Sequence, residues 1–248
     1  MDEPKELDIL EMPVEALAAY WLSIKKLLDA KKDLSLLAAE AENTSEPFVR
    51  HLLDTAQAGF EPALALTLAR AKRGVLLTVL RRRMEMMRRT LTGLAASENP
   101  RLTLLGLNAL VGSSPFHEPR TFELATALLT TVAQKGADLP TLLGVDHKLK
   151  EDRLVVKLLF YAISTRRNGK QSLNECLPHL NAGFFAEGLS LCADGFEADF
   201  VAQHLGAIRD SALMATRRKM DMATQLCLAI KAGLPYDDVF RVARSYMV

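Results

Sequence analysis

Histidine and cysteine are the side chains of this 248-residue chain that most often carry catalysis or hold a metal. The five histidines and three cysteines form no C-x-x-C or H-E-x-x-H motif, and no two histidines stand four residues apart. Gly-rich phosphate-binding loops and G-x-S-x-G nucleophile turns are also absent from the sequence. The odd cysteine count predicts a reducing compartment, with the thiols as small core residues. We therefore expect no catalytic residue, no metal, no cofactor and no enzyme activity.

Arginine is the polar residue whose distribution is unusual. Between positions 70 and 89 the chain carries eight basic residues against one acid, Glu85. One interpretation is a solvated helix face whose long side chains cover apolar surface. The other is a docking face for an acidic protein surface or a nucleic-acid backbone. The basic residues are Arg70, Lys72, Arg73, Arg81, Arg82, Arg83, Arg88 and Arg89.

Helices must position these side chains, because the apolar pattern is helical. Leu77, Met84 and Leu91 recur at intervals of seven, which is typical of the buried stripe of an amphipathic helix. Sustained alternation, the sign of strands, is lacking. Segments such as KGADLP (135–140) and KAGLP (231–235) place a helix-ending glycine before a helix-starting proline. The chain is predicted to be all-α, with ten to twelve helices.

One unusual phrase occurs twice, as RRRMEMM at 81–87 and RRKMDMA at 217–223. The tripeptide Gly-Phe-Glu recurs at the same offset of 136 positions. When residues 48–86 are laid on 184–222 without a gap, twelve positions are identical. Chance would give roughly three in this composition. The repeat predicts an internal duplication that produced two tandem helical domains.

The predicted boundary between the two domains lies near GSSPFHEP, which gives domains 1–112 and 113–248. The methionines of the repeated phrase keep the register of the leucines, so we expect them in the core rather than in a recognition groove. Predicted core residues are Leu77, Met84, Leu213 and Met220.

The repeated unit also carries a recognisable order of motifs. In the first copy the closest stretch is AEAENTSEPFVR (39–50), and in the second RRNGKQSLNE (166–175) with ADGFEADFV (193–201). These stretches resemble the cytoplasmic region of MotA, the A subunit of the flagellar stator, in the MotA/TolQ/ExbB group. The resemblance covers about 28–90 and 164–226. It implies two tandem copies of that helical region.

The chain departs from the family pattern in two ways. Membrane spans flank the region in the family, whereas no sufficiently long apolar stretch occurs here, so ion conduction is not implied. The family presents a basic residue to a rotor protein, with a glutamate eight positions later. The basic position corresponds to Arg166, followed by Arg167, but the acidic position holds Asn174. In the first copy Lys31 and Lys32 stand beside the basic position.

These observations predict a cytoplasmic, non-enzymatic module that binds a protein partner. The resemblance implies a flagellar rotor, switch or other motor-associated partner, and a role in motility. The alternative is a nucleic-acid-binding helical protein that uses the basic 70–89 helix, although the net charge of +1 gives no bulk attraction to nucleic acid. The predicted partner-binding residues are Arg166, Arg167, Lys31, Lys32, Arg81, Arg82, Arg217 and Arg218.

Overall fold

The computed structural model describes residues 7–31, 35–112 and 115–247, and these ranges contain eleven α-helices, two 3-10 helices and no strand. The all-α prediction is confirmed. The helices are α1 (Val14–Lys31), α2 (Ser35–Asn43), α3 (Pro47–Gln57), α4 (Pro62–Ala95), α5 (Pro100–Asn108), α6 (Glu118–Val132), α7 (Leu139–Leu143), α8 (Glu151–Asn168), α9 (Phe184–Ala193), α10 (Ala198–Lys231) and α11 (Tyr236–Arg244). The 3-10 helices are Lys170–Glu175 and Leu177–His179. Within these ranges, no helix is both long enough and apolar enough to cross a bilayer.

Local sequence explains where the helices start and stop. Asn99 caps α5 by accepting a hydrogen bond from the backbone N–H of Arg101 at 3.0 Å, and Pro100 occupies the first turn. Gly59 and Gly195 precede the two 34-residue helices α4 and α10 with φ of +70° and +83°. Glycine is favoured in this left-handed region because other residues carry a clashing Cβ there.

The chain packs into two compact units. The first, here the terminal unit, combines Met1–Thr78 with Ala212–Val248, and the second, the central unit, is Val79–Ser211. The long helices α4 and α10 therefore each contribute residues to both units. The two packing units have different bounds from the predicted domains 1–112 and 113–248. The predicted domains rest on the internal repeat, and they stay a prediction.

In the terminal unit, α2 packs against α3 and α1 packs against α11. Its core contains Trp21, Phe48 and Leu53 from the N-terminal helices with Met222 and Leu226 from α10, each at most 1% exposed. The core is thus completed by residues more than 160 positions apart in sequence. Lys231 Nζ donates a 2.5 Å hydrogen bond to the carbonyl of Phe60, while Arg73 pairs with Asp221, so α4 and α10 run antiparallel here.

In the central unit, α8 lies against α5 and α6. Tyr161 and Phe185 pack ring to ring at 5.0 Å, and Leu91 is fully buried beside them in the same core. Gly188 allows close packing, because a Cβ there would stand 2.5 Å from Leu91 Cδ1 and 2.8 Å from Leu205 Cδ1.

The helix bounds repeat at the offset found in the sequence. Adding 136 to both bounds of α4 gives those of α10, and adding 136 to both bounds of α5 gives those of α11. The bounds of α1 shifted in this way differ from those of α8 by one residue at each end. The packing partners correspond as well, since α1 lies on α11 and α8 lies on α5.

The predicted core stripe is confirmed at three of its four positions. Met84, Leu213 and Met220 are 3%, 6% and 4% exposed. The prediction was wrong for Leu77, which is only half-buried. Its turn of α4 lies at the edge of the terminal core, where Val75 and Thr78 are exposed. Periodicity identified the correct face of the helix but not the point where the core ends.

Candidate functional site

A surface groove of about 720 Å³ lies in the terminal unit. Its walls carry four arginines and one acid, namely Arg70, Arg73, Arg217, Arg218 and Asp221. Apolar lining is supplied by Leu66, Met214 and Tyr246. We call this feature the arginine groove.

The arginine groove follows directly from helical spacing. On α4, Leu66 and Arg70 are four positions apart and Arg73 lies three further on, which puts the three on one face. On α10, Met214 and Asp221 are seven positions apart with the Arg217–Arg218 pair between them. Residues of both faces line the same groove, so the two antiparallel helices form its opposite walls.

The arginines in the groove are only partly neutralised. Asp221 forms an ion pair with Arg73 and lies 4.0 Å from Arg217 Nε. Among the residues that the structure describes, neither Arg70 nor Arg218 has an ion-pair partner. The groove thus contains four guanidinium groups and only one carboxylate in its lining.

The titration of Arg73 reflects this crowding. Its side chain is 17% exposed. Burial lowers the pKa of the Arg73 guanidinium, and the positive charges of Arg217 and Arg70 lower it further. The site therefore holds like charges close together, and an added carboxylate would relieve their repulsion.

The arginines in the second half of the basic helix have a different environment in the central unit. Arg82 pairs with Glu151 at 3.1 Å and Arg89 with Glu98 at 2.7 Å. Arg81 lies 3.9 Å from Asp210.

The other two arginines of this half have partners as well. Arg88 pairs with Glu85 on the same helix, and Arg83 donates a 2.5 Å hydrogen bond to the carbonyl of His147. The sequence showed a single acid on this helix, but other elements supply the missing negative charges.

The predicted partner-binding residues are distributed over separate places. Arg217 and Arg218 line the arginine groove, whereas Arg81 and Arg82 lie in the central unit and are paired there. Lys31 is exposed in the last turn of α1, and Lys32 lies outside the described residues.

The remaining predicted pair, Arg166 and Arg167, occupies the last turn of α8. Both residues are exposed, as expected from the following glycine, Gly169, which has φ of +80°. Arg166 donates a 3.2 Å hydrogen bond to the carbonyl of Ser97. Their role in binding a partner stays a prediction.

Arg70 and Arg73 belong to the predicted basic helix but not to the predicted binding residues, and Met214 and Tyr246 were not predicted at all. Helical spacing could have grouped Arg70 with Arg73 on one face. It could not have paired that face with α10, since the pairing is a tertiary contact between Arg73 and Asp221, 148 positions away.

Two of the three cysteines have the environment of core residues, whereas Cys176 is only half-buried. Cys192 and Cys227 are buried, and burial raises the pKa of each thiol to about 12. Each thiol donates to a backbone carbonyl, Cys192 to Leu91 at 3.2 Å and Cys227 to Leu52 at 3.5 Å. A thiol with a raised pKa is a poor nucleophile.

Comparisons with known proteins add no identification. No protein-family model, curated protein or solved structure matches the chain.

Proposed function

We propose that this protein is a non-enzymatic module that binds a protein partner through the arginine groove. The observation that carries the proposal is the combination of surplus arginine charge and accessible apolar side chains in one concave surface. Met214 in the groove is 72% exposed. Arginine, methionine and tyrosine are enriched where protein interfaces form.

We also infer that the chain arose by internal duplication with an offset of 136 residues. The shared bounds of α4 with α10 and of α5 with α11 support this inference. So do Gly59 and Gly195, which adopt positive φ at corresponding positions ahead of the long helices.

Corresponding side-chain contacts give independent support for the duplication. Arg73 pairs with Asp221 in the terminal unit, and Arg209 pairs with Glu85 in the central unit. Arg209 lies 136 positions after Arg73, and Glu85 lies 136 positions before Asp221. The second pair is therefore the first pair with the two copies exchanged. Amphipathic helices that matched only in composition would have no reason to share this contact.

A second contact is repeated in the same way. Lys219 Nζ donates to the carbonyls of Leu10 and Met12, each at 2.9 Å, in the segment before α1. Arg83, the counterpart of Lys219, donates to the carbonyl of His147 before α8. In both copies a cation from the repeated phrase holds the loop that leads into the corresponding helix.

A relationship to the stator's cytoplasmic region remains part of the proposal. It rests on the motif order in both copies, and it implies a rotor or motor-associated partner. Under this hypothesis, replacing Arg166 and Arg167 together by glutamate should abolish binding to a purified rotor protein in a pulldown. The melting temperature should change by only a few degrees, since both side chains are exposed.

The interaction proposal is tested by site-specific photo-crosslinking in the cells that make the protein. A photoreactive residue at Met214 should capture a protein, and Arg218→Glu should remove the capture. The control position is Val75, which is 61% exposed in the same unit but does not line the arginine groove. Equal capture at both positions, or none at Met214, would contradict the proposal. Capture of nucleic acid alone would favour the alternative function.

A further inference from the structure

The dimensions of the arginine groove suit a short helical segment. Its lining extends from Met214 to Gln225 along α10, which is about 16 Å at 1.5 Å per residue. On the opposite wall it extends from Leu66 to Arg73. A groove between two helices accepts a third helix through side chains spaced three and four residues apart.

The charge of the groove selects an acidic occupant. Arg70 is exposed on α4 and Arg218 is exposed on α10, and both side chains line the groove. With Asp221 already occupied by Arg73, carboxylates from a partner would be the natural counter-ions for these two cations.

The apolar lining selects an amphipathic occupant rather than a simple anion. Met214 is flexible and largely exposed, and Leu66 and Tyr246 are half-buried in the same groove. A phosphate ion or a polyacidic coil would leave these surfaces uncovered. A segment with leucine-like residues on one face and acids beside them would cover the apolar lining and meet the arginines.

The surrounding charges do not favour a nucleic acid. Binding to a nucleic-acid backbone requires a stripe of basic residues that tracks many phosphates. The basic helix provides such a stripe only in sequence, because Arg82 and Arg89 form ion pairs within the central unit.

We propose that the arginine groove binds an acidic amphipathic helix of a partner protein, with Arg70 and Arg218 pairing to its carboxylates and Met214 and Leu66 packing on its apolar face. This inference rests on the proposed function and names the chemistry of the partner. Asp221 limits the affinity, because it competes for Arg73 and repels incoming carboxylates.

The test uses the full chain and a fluorescent peptide of about 15 residues that carries leucines at helical spacing with glutamates beside them. Binding is followed by fluorescence anisotropy. A second peptide has the same composition with the order scrambled so that no amphipathic face forms, and a third probe is a single-stranded oligonucleotide. The patterned peptide should bind at least about tenfold more tightly than the scrambled one.

Variants of the chain then locate the site. Arg70→Glu with Arg218→Glu should weaken peptide binding by at least about tenfold, and Asp221→Asn should strengthen it by about two- to fivefold. Met214→Ser should weaken it by about threefold or more, through lost apolar contact. The matched control is Arg120→Glu with Arg153→Glu, which changes the same number of exposed charges in the central unit and should leave affinity within about twofold. Circular dichroism melting confirms that each variant is folded.

The outcomes separate the two proposals. If the peptides do not bind although crosslinking at Met214 captures a protein, the helix inference is overturned and the interaction function stands. Equal binding of patterned and scrambled peptides would overturn the inference in favour of plain charge attraction. Tighter binding of the oligonucleotide, lost in the Arg70/Arg218 variant, would overturn both.

Discussion

Glu98 accepts two hydrogen bonds from the guanidinium of Arg89, one on each carboxylate oxygen and each 2.7 Å long. Two glycines, which have no side chain, leave room for this ion pair. A Cβ on Gly93 would stand 2.6 Å from Glu98 Oε2, and one on Gly106 would stand 2.5 Å from Arg89 Nε. This bidentate contact fixes the turn between α4 and α5 in the central unit.

The Glu98–Arg89 pair predicts a loss of stability in acid. The hydrogen bonds from Arg89 lower the pKa of Glu98 below its ordinary value of 4.5, although burial opposes the shift. A carboxyl group with a lowered folded-state pKa contributes stability above its unfolded pKa and loses it as pH falls through the folded value. Glu98→Gln should therefore reduce the unfolding free energy by about 1–2 kcal/mol at neutral pH. The difference from wild type should shrink progressively below about pH 4.5.

Urea denaturation over a pH series measures this difference. Glu175→Gln is the control, since Glu175 is exposed and unpaired among the described residues, and it should stay within about 0.5 kcal/mol of wild type. A gap between Glu98→Gln and wild type that persisted undiminished in strong acid would show that the ion pair is not its source.

Gly59 and Gly195 should respond alike to alanine substitution. Apart from the glycine and its two chain neighbours, no residue has an atom within 4 Å of either added Cβ, so the expected cost comes from the positive φ alone. Each substitution should lower the unfolding free energy by about 1 kcal/mol. Gly74→Ala is the contrasting variant, because Gly74 lies inside α4 with equally open space, and it should stabilise the protein by about 0.5–1 kcal/mol. Thermal melting distinguishes the signs, and a neutral result at Gly59 would argue against conformational strain there.

The half-buried position of Leu77 revises the expected effect of its truncation. Leu91→Ala, at a fully buried position, should cost about 2–5 kcal/mol. Leu77→Ala should cost clearly less, about 1 kcal/mol, because part of its side chain already contacts water. Chemical denaturation of the two variants provides the comparison. An equal loss for both would mean that the edge of the terminal core is more tightly packed than its exposure indicates.

The two compact units predict which fragments of the chain can fold alone. Fragment 79–211 contains the whole central core and should fold cooperatively alone. Fragment 1–112 lacks Met222 and Leu226, which complete the terminal core, so we expect it to be unfolded or to self-associate. If the halves are true duplicates, one copy of 1–112 can supply a second copy with the missing helix segments. Circular dichroism and light scattering on both fragments test this, and a stable monomeric 1–112 would contradict it.

The helical class, many helix ends and the buried face of the repeated phrase can all be predicted from the sequence. These features are local: a 3.6-residue period, a glycine that tolerates positive φ and a proline in a first turn are each determined within a few residues. This is why Met84 and Met220 were correctly predicted to be buried. The offset of 136 was also visible, because it is a property of the sequence itself.

Which charges remain unpaired depends instead on how the helices pack. Arg82 pairs with Glu151, which is 69 positions away in sequence, and Arg73 pairs with Asp221, which is 148 positions away. Neither partner can be inferred from helical spacing, because such spacing relates residues only within one helix. Glu151, Glu98 and Asp221 pair with arginines of the basic helix, whereas Arg70 and Arg218 line the arginine groove without an ion-pair partner among the described residues. Charge balance is a property of packing over long sequence separations, and it decides where a partner can bind.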